Sequence, residues 1–62
     1  MKVTTIQTEV LGNSIFYINE VINKGVLTYN FNRFNEKTNR TYHYKNEIDY
    51  NKSIRLSKTN NN

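Results

Sequence analysis

Apolar and polar side chains alternate along much of this chain, and Gly12, Gly25 and Asn39 interrupt the alternation at near-regular spacing. A period of two belongs to an extended strand, whose successive side chains point to opposite faces. Repeated alternation punctuated by residues that tolerate a left-handed backbone therefore commits the chain to β-hairpins. The run VLTYNFNRF, residues 26–34, shows it best. There Leu27, Tyr29, Phe31 and Arg33 share one face, and Val26, Thr28, Asn30, Asn32 and Phe34 share the other.

Reading outward from that run predicts the remaining elements. Residues 2–11, KVTTIQTEVL, form a first strand rich in Thr, Val and Ile. Gly12-Asn13 suits a two-residue type II′ turn, in which Gly takes the positive φ at the first central position. Residues 14–22, SIFYINEVI, form a second strand that is apolar on both parities, so it is central, covered on both faces, or met by another subunit. Asn23-Lys24-Gly25 reads as a three-residue loop ending in a left-handed Gly. Residues 35–39 form a polar hairpin loop, with Asn39 suited to the left-handed region.

A fourth strand over 40–45 follows, with Tyr42 and Tyr44 on the face of Tyr29 and Phe31, and Thr41, His43 and Lys45 opposite. Residues 47–51 suggest a bend or a single helical turn, and 52–57 a short last strand anchored by Ile54 and Leu56. The tail, 58–62, has nothing to bury and is expected to be disordered. The predicted fold is all-β: one domain over 1–57, a five-stranded antiparallel meander that curls into a small open barrel or pairs as a dimer. The rival is an α+β chain of order β-α-β-β-β. Leu11, Ile15, Ile18 and Ile22 also sit at helical spacing, which places a helix near 14–24 with Gly25 as its cap. Residue type opposes that helix, because Ile, Phe, Tyr and Val lose side-chain freedom in one.

A chain of 62 residues buries only about 60% of its unfolded surface, so its core is thin. Small domains compensate with disulfides, a metal or association. Cysteine is absent, and one histidine with five scattered carboxylates makes a poor zinc set. No cofactor is expected, and association with a protein partner or a second copy is. No run approaches the roughly 18 apolar residues of a membrane span, and no signal peptide opens the sequence. The expectation is a soluble, cytoplasmic protein with no membrane partner. Asn39-Arg40-Thr41 and Asn51-Lys52-Ser53 match the glycosylation sequon by chance on that expectation. Ala, Pro, Trp and Cys are missing, while Asn, Lys, Ile, Tyr, Phe and Met make up more than half of the chain. AT-rich codons encode those six residues, which fits an accessory protein of a phage or mobile element in a bacterial host.

Familiar catalysis needs an activated nucleophile, a tuned acid or base, or a metal, and the sequence supplies none of these in a recognisable pattern. Glu47 and Asp49 read as solvated charges rather than a catalytic pair, and His43 as an exposed strand residue opposite the tyrosines. No motif is specific enough to name a family. The expected role is therefore non-enzymatic binding, and two surfaces compete for it. Strand two, through Ile15, Phe16, Tyr17, Ile18, Val21 and Ile22, offers apolar groups to a protein partner, such as a host protein to be modulated. The alternative is nucleic acid. Residues 1–32 are electrically balanced, so the net charge of +4 lies wholly in the second half. There Arg33, Arg40, Lys45 and Arg55 are interleaved with Tyr42 and Tyr44, as in surfaces that neutralise phosphates and stack single-stranded bases. Those same tyrosines also serve as core, with Arg33 and Arg40 capping the rim by cation–π contact.

Overall fold

The computed structural model describes residues 1–60. Four strands, β1 (Lys2–Leu11), β2 (Ser14–Asn23), β3 (Val26–Asn35) and β4 (Arg40–Tyr44), are followed by one helix, α1 (Glu47–Asn60). The strands form a single antiparallel sheet in the order β1-β2-β3-β4, with β1 and β4 as its edges. The chain is thus α+β, but the helix is not where helical spacing placed it. Residues 14–24 hold the central strand β2, as their β-branched and aromatic content favours. The fifth strand expected at 52–57 is instead part of α1, and the helix continues through Lys58 and Thr59, where the tail composition predicts disorder. Residues 61 and 62 of that tail lie outside the described residues.

Local chemistry accounts for the helix. Asn46 is its N-cap: its Oδ1 accepts from the Asp49 backbone N–H at 2.9 Å, and its carbonyl accepts from the Tyr50 N–H at 3.2 Å. Glu47 and Asp49 in the first turn and Lys58 in the last complement the helix dipole. Tyr50, Ser53, Ile54 and Ser57 recur at i, i+3, i+4 and i+7 and form the less exposed stripe. Leu56, expected to be an anchor, lies off that stripe and is 54% exposed.

The turns follow strand twist. Gly12 has φ 60° with Asn13 at negative φ, as a type II′ turn requires. The second reversal is shorter than the three-residue loop expected from the sequence. Asn23 pairs directly with Val26, and Lys24 and Gly25 both take positive φ, 52° and 77°. That is the type I′ pattern, whose twist matches the flanking strands and is gained here at the expense of a left-handed lysine. Asn39 takes φ 58° in the third loop.

Phe16, Ile18, Tyr50 and Ile54 are the buried core, with Leu11, Phe31 and Tyr44 packed around them. The Tyr50 ring is central to it, with centroids 6.0 Å from Phe16, 5.6 Å from Phe31 and 5.8 Å from Tyr44. These contacts lie at the end of the sheet near the β1–β2 turn. The molecule measures 43 × 23 × 16 Å, and α1 leaves the far end of its own face bare, where Ile22, Leu27 and Tyr29 are exposed.

Candidate functional site

The pleat assigns every strand residue to one of two faces. Cross-strand partners share a face, so the registers place Val10, Ile15, Phe34 and Thr41 in one row across the sheet, and Thr8, Tyr17, Asn32 and His43 in the next. Continuing away from the helix end come Thr5, Asn19 and Asn30, then Val3, Val21 and Thr28, then Asn23 and Val26. These rows form the face opposite α1, and no described element covers it. Every residue on it is Val, Ile, Tyr, Phe, Thr, Asn or His, so among the described strand residues none there is Asp, Glu, Lys or Arg. The helix face, by contrast, carries Lys2, Glu9, Glu20, Arg33 and Arg40.

Polar groups on the open face pair with one another. Thr5 Oγ1 donates to Asn19 Oδ1 at 2.7 Å, and His43 Nδ1 donates to Asn32 Oδ1 at 2.5 Å. Asn32 is only 2% exposed although no described element lies above the sheet there. Side chains whose hydrogen bonds are already made lose less when water is removed. His43 is exposed and lies opposite the tyrosines, as the alternation predicts.

The strand-two residues expected to bind a protein are divided by this pleat. Ile15, Tyr17 and Val21 lie on the open face. Phe16 and Ile18 are buried beneath α1 and are therefore unavailable to a partner, and Ile22 lies on the helix face beyond the reach of α1. Val3, Val10, Val26 and Phe34 are apolar residues of the same face that are absent from that set. Their signal was in the sequence: the parity set of Phe34 in residues 26–34 is the one without charge.

The basic and aromatic candidates also divide. Arg33, Arg40, Tyr42 and Tyr44 line an open groove of about 630 Å³ with Thr38 and Ser53, and Lys45 lines a neighbouring groove of about 430 Å³ with Lys52. Arg55 lines neither groove. Arg33 is engaged internally: its Nε donates to Ser14 Oγ at 2.9 Å, and its guanidinium lies 5.4 Å from the Phe16 centroid. Tyr44 is tied to the helix through a 2.6 Å hydroxyl contact with Ser53 Oγ. Tyr42 is 62% exposed, and its ring packs edge-on against Tyr44 with centroids 4.8 Å apart. Glu47 and Asp49 are both exposed in the first turn of α1.

One buried feature belongs to neither surface. The Tyr50 hydroxyl and Glu9 Oε2 are shielded and lack hydrogen-bond partners among the described residues, although Glu9 Oε2 lies 3.2 Å from Lys58 Nζ. Burial pushes the Tyr50 phenol above its ordinary range, and the Glu9 charge and then Tyr44 push it further.

These elements define a small α+β protein in which one helix covers part of one face of an antiparallel meander. No family model, curated protein or solved structure matches the chain. No helix among the described residues is long and apolar enough to cross a membrane.

Proposed function

We propose that this protein is a non-enzymatic protein–protein interaction module whose docking surface is the open face of the sheet. The observation that carries the reading is the absence of charge from that face in a chain that is 23% charged overall. Interface centres are depleted in charged residues and enriched in aromatic ones, and Ile15, Tyr17 and Phe34 supply apolar anchors there. The thin core supports the same reading, because a chain this size gains stability when a partner covers its surplus apolar surface. Residue usage fits an accessory protein of a phage or mobile element that modulates a host protein.

Affinity capture with nuclease-treated lysate tests this, using wild type, Val10→Lys and Arg40→Ala as baits alongside a second copy of the chain under a different tag. A stoichiometric protein, the second copy included, should be held by wild type and Arg40→Ala and lost from Val10→Lys. A wild-type bait that holds no stoichiometric protein sinks the reading.

A second reading, a single-stranded nucleic-acid binder, is favoured by the convergence of Arg33, Arg40, Tyr42 and Tyr44 on one groove. It has less support, since Arg33 and Tyr44 are already committed to internal contacts. Phosphate binding must weaken steeply with salt as counterions are released, so an oligonucleotide affinity that is absent, or insensitive to salt, removes it.

A further inference from the structure

We infer that the occupant of the open face is a second copy of this chain, docked face to face to make a two-layer β-sandwich dimer. This rests on the reading of that face as a protein docking surface and adds the identity of the partner and its orientation. The first argument is electrostatic. A two-fold interface sets a patch against itself, so any charge on it meets its own like. No described strand residue of this face is charged, so the rows have no charge to repel.

Shape carries the second argument. Bulky side chains, Ile15, Phe34 and Tyr17, lie toward the helix end of the face, whereas Val3, Val21 and Val26 lie toward the other end, with Asn19 between them. A two-fold axis in the plane between the sheets and perpendicular to the strands reverses strand direction. It seats Val10 over Val3 of the second copy, Ile15 over Val21 and Phe34 over Thr28, and places Tyr17 by Asn19. Large side chains then meet small ones across the interface, the condition for interdigitation at sandwich spacing.

Area is the third. Strands rise about 3.3 Å per residue and lie about 4.8 Å apart, so three ten-residue strands and one of five present roughly 550 Å² in projection. That projection is roughly two-thirds of the ~800 Å² per partner of a standard specific interface, which puts the dimer at the small end of that class. Pairing along the β1 edge is the competing route to a dimer. There the register shift between Thr5 and Gln7 breaks the hydrogen-bonding row, a device that discourages edge-to-edge addition.

Sedimentation equilibrium of the full chain, with circular dichroism as the check on folding, tests the dimer. Wild type should be dimeric at ~100 μM, well above the micromolar Kd at the weak end for a standard-size interface. Val10 is 61% exposed and Val3 53% exposed in the single chain, so Val10→Lys and Val3→Glu are expected to fold and to weaken the dimer by about 100-fold or more, as an unpaired buried charge does. An equimolar mixture of the two variants should recover the dimer, because Lys at position 10 of one copy then meets Glu at position 3 of the other. Tyr42→Ser, on the helix face, should leave wild-type association intact. A monomeric wild type, or a Val10→Lys protein that dimerises like wild type, overturns the inference, and failure of the mixture to recover the dimer overturns the orientation. Should wild type be monomeric while Val10→Lys still loses a protein captured by wild type, the docking face stands and only the second copy is excluded.

Discussion

Tyr50 offers the sharpest separation of packing from hydrogen bonding in this molecule. Its ring is wholly buried among Phe16, Phe31 and Tyr44, and its hydroxyl has no partner among the described residues. Truncating a buried aromatic to Ala costs about 3–5 kcal/mol. A chain of 62 residues is stable by only about 3–9 kcal/mol at ~0.05–0.15 kcal/mol per residue. Tyr50→Ala should therefore remove most of the stability and release α1 from the sheet. Tyr50→Phe keeps the ring and deletes a buried hydroxyl that carries a desolvation penalty of about 1–3 kcal/mol when unpaired. It should be neutral or stabilising by up to ~1 kcal/mol, a rise in Tm of up to about 4–8 °C for a domain this small. Thermal and urea unfolding followed by circular dichroism, at one fixed protein concentration so that association does not enter the comparison, measure both. A Tyr50→Phe protein less stable than wild type by more than ~1 kcal/mol would show that the hydroxyl makes a bond worth keeping, and the account of Tyr50 as pure packing would fail.

Three further outcomes follow from the same geometry. The Tyr50 phenol titrates above 10.0 in the fold, so the unfolded chain loses that proton first: its stabilising contribution is full below pH 10 and declines as pH rises toward the folded value. Urea titrations across that range should show a shallower alkaline loss for Tyr50→Phe than for wild type. Lys24→Asn places at positive φ a residue that tolerates the left-handed region, creating the favoured Asn-Gly type I′ pair, and should raise stability by about 0.5–1 kcal/mol in urea unfolding. Asn46→Ala removes the acceptor of the Asp49 N–H and should cost about 1 kcal/mol, read as a lower unfolding midpoint with the sheet registers unchanged by NMR.

How much of this was legible in the residues depends on what each element uses to declare itself. The first three strands declare themselves by alternation and by glycine-bearing turns, and β3 keeps the two parity sets read from the sequence, whereas in β1 the register shift between Thr5 and Gln7 puts Val3 and Thr5 on the face of Thr8 and Val10, which strict alternation does not foresee. The helix hides. Its buried stripe, Tyr50, Ser53, Ile54 and Ser57, contains two serines, so apolar periodicity is weak, whereas Ile54-Arg55-Leu56 imitates a strand. The sequence does carry a polar start signal, Asn46 three residues ahead of Asp49 with Glu47 between them, but reading 52–57 as a strand passes over it. The binding candidates on strand two divide between the two faces for a different reason. An apolar run on both parities shows that both faces of a strand are greasy, but not which face its own chain will cover, and that choice was made by a helix the alternation did not reveal.

The division of charge between the faces also decides how the two candidate surfaces relate. A four-stranded sheet has two faces to dispose of, and α1 meets only the end of one. Had the chain relied on its basic groove alone, nothing would require the opposite face to be free of Lys and Arg, residues whose long stems normally shield exposed strands from unwanted pairing. Their exclusion from every described row of that face, while Lys2, Arg33 and Arg40 occupy the other, is the pattern that the proposed docking surface requires. In a dimer joined through it, the two helices and both grooves containing Arg40 and Tyr42 point outward on opposite sides. The groove is then presented twice at a fixed separation, and any weak affinity it has for an acidic target is multiplied by the effective concentration of the second site.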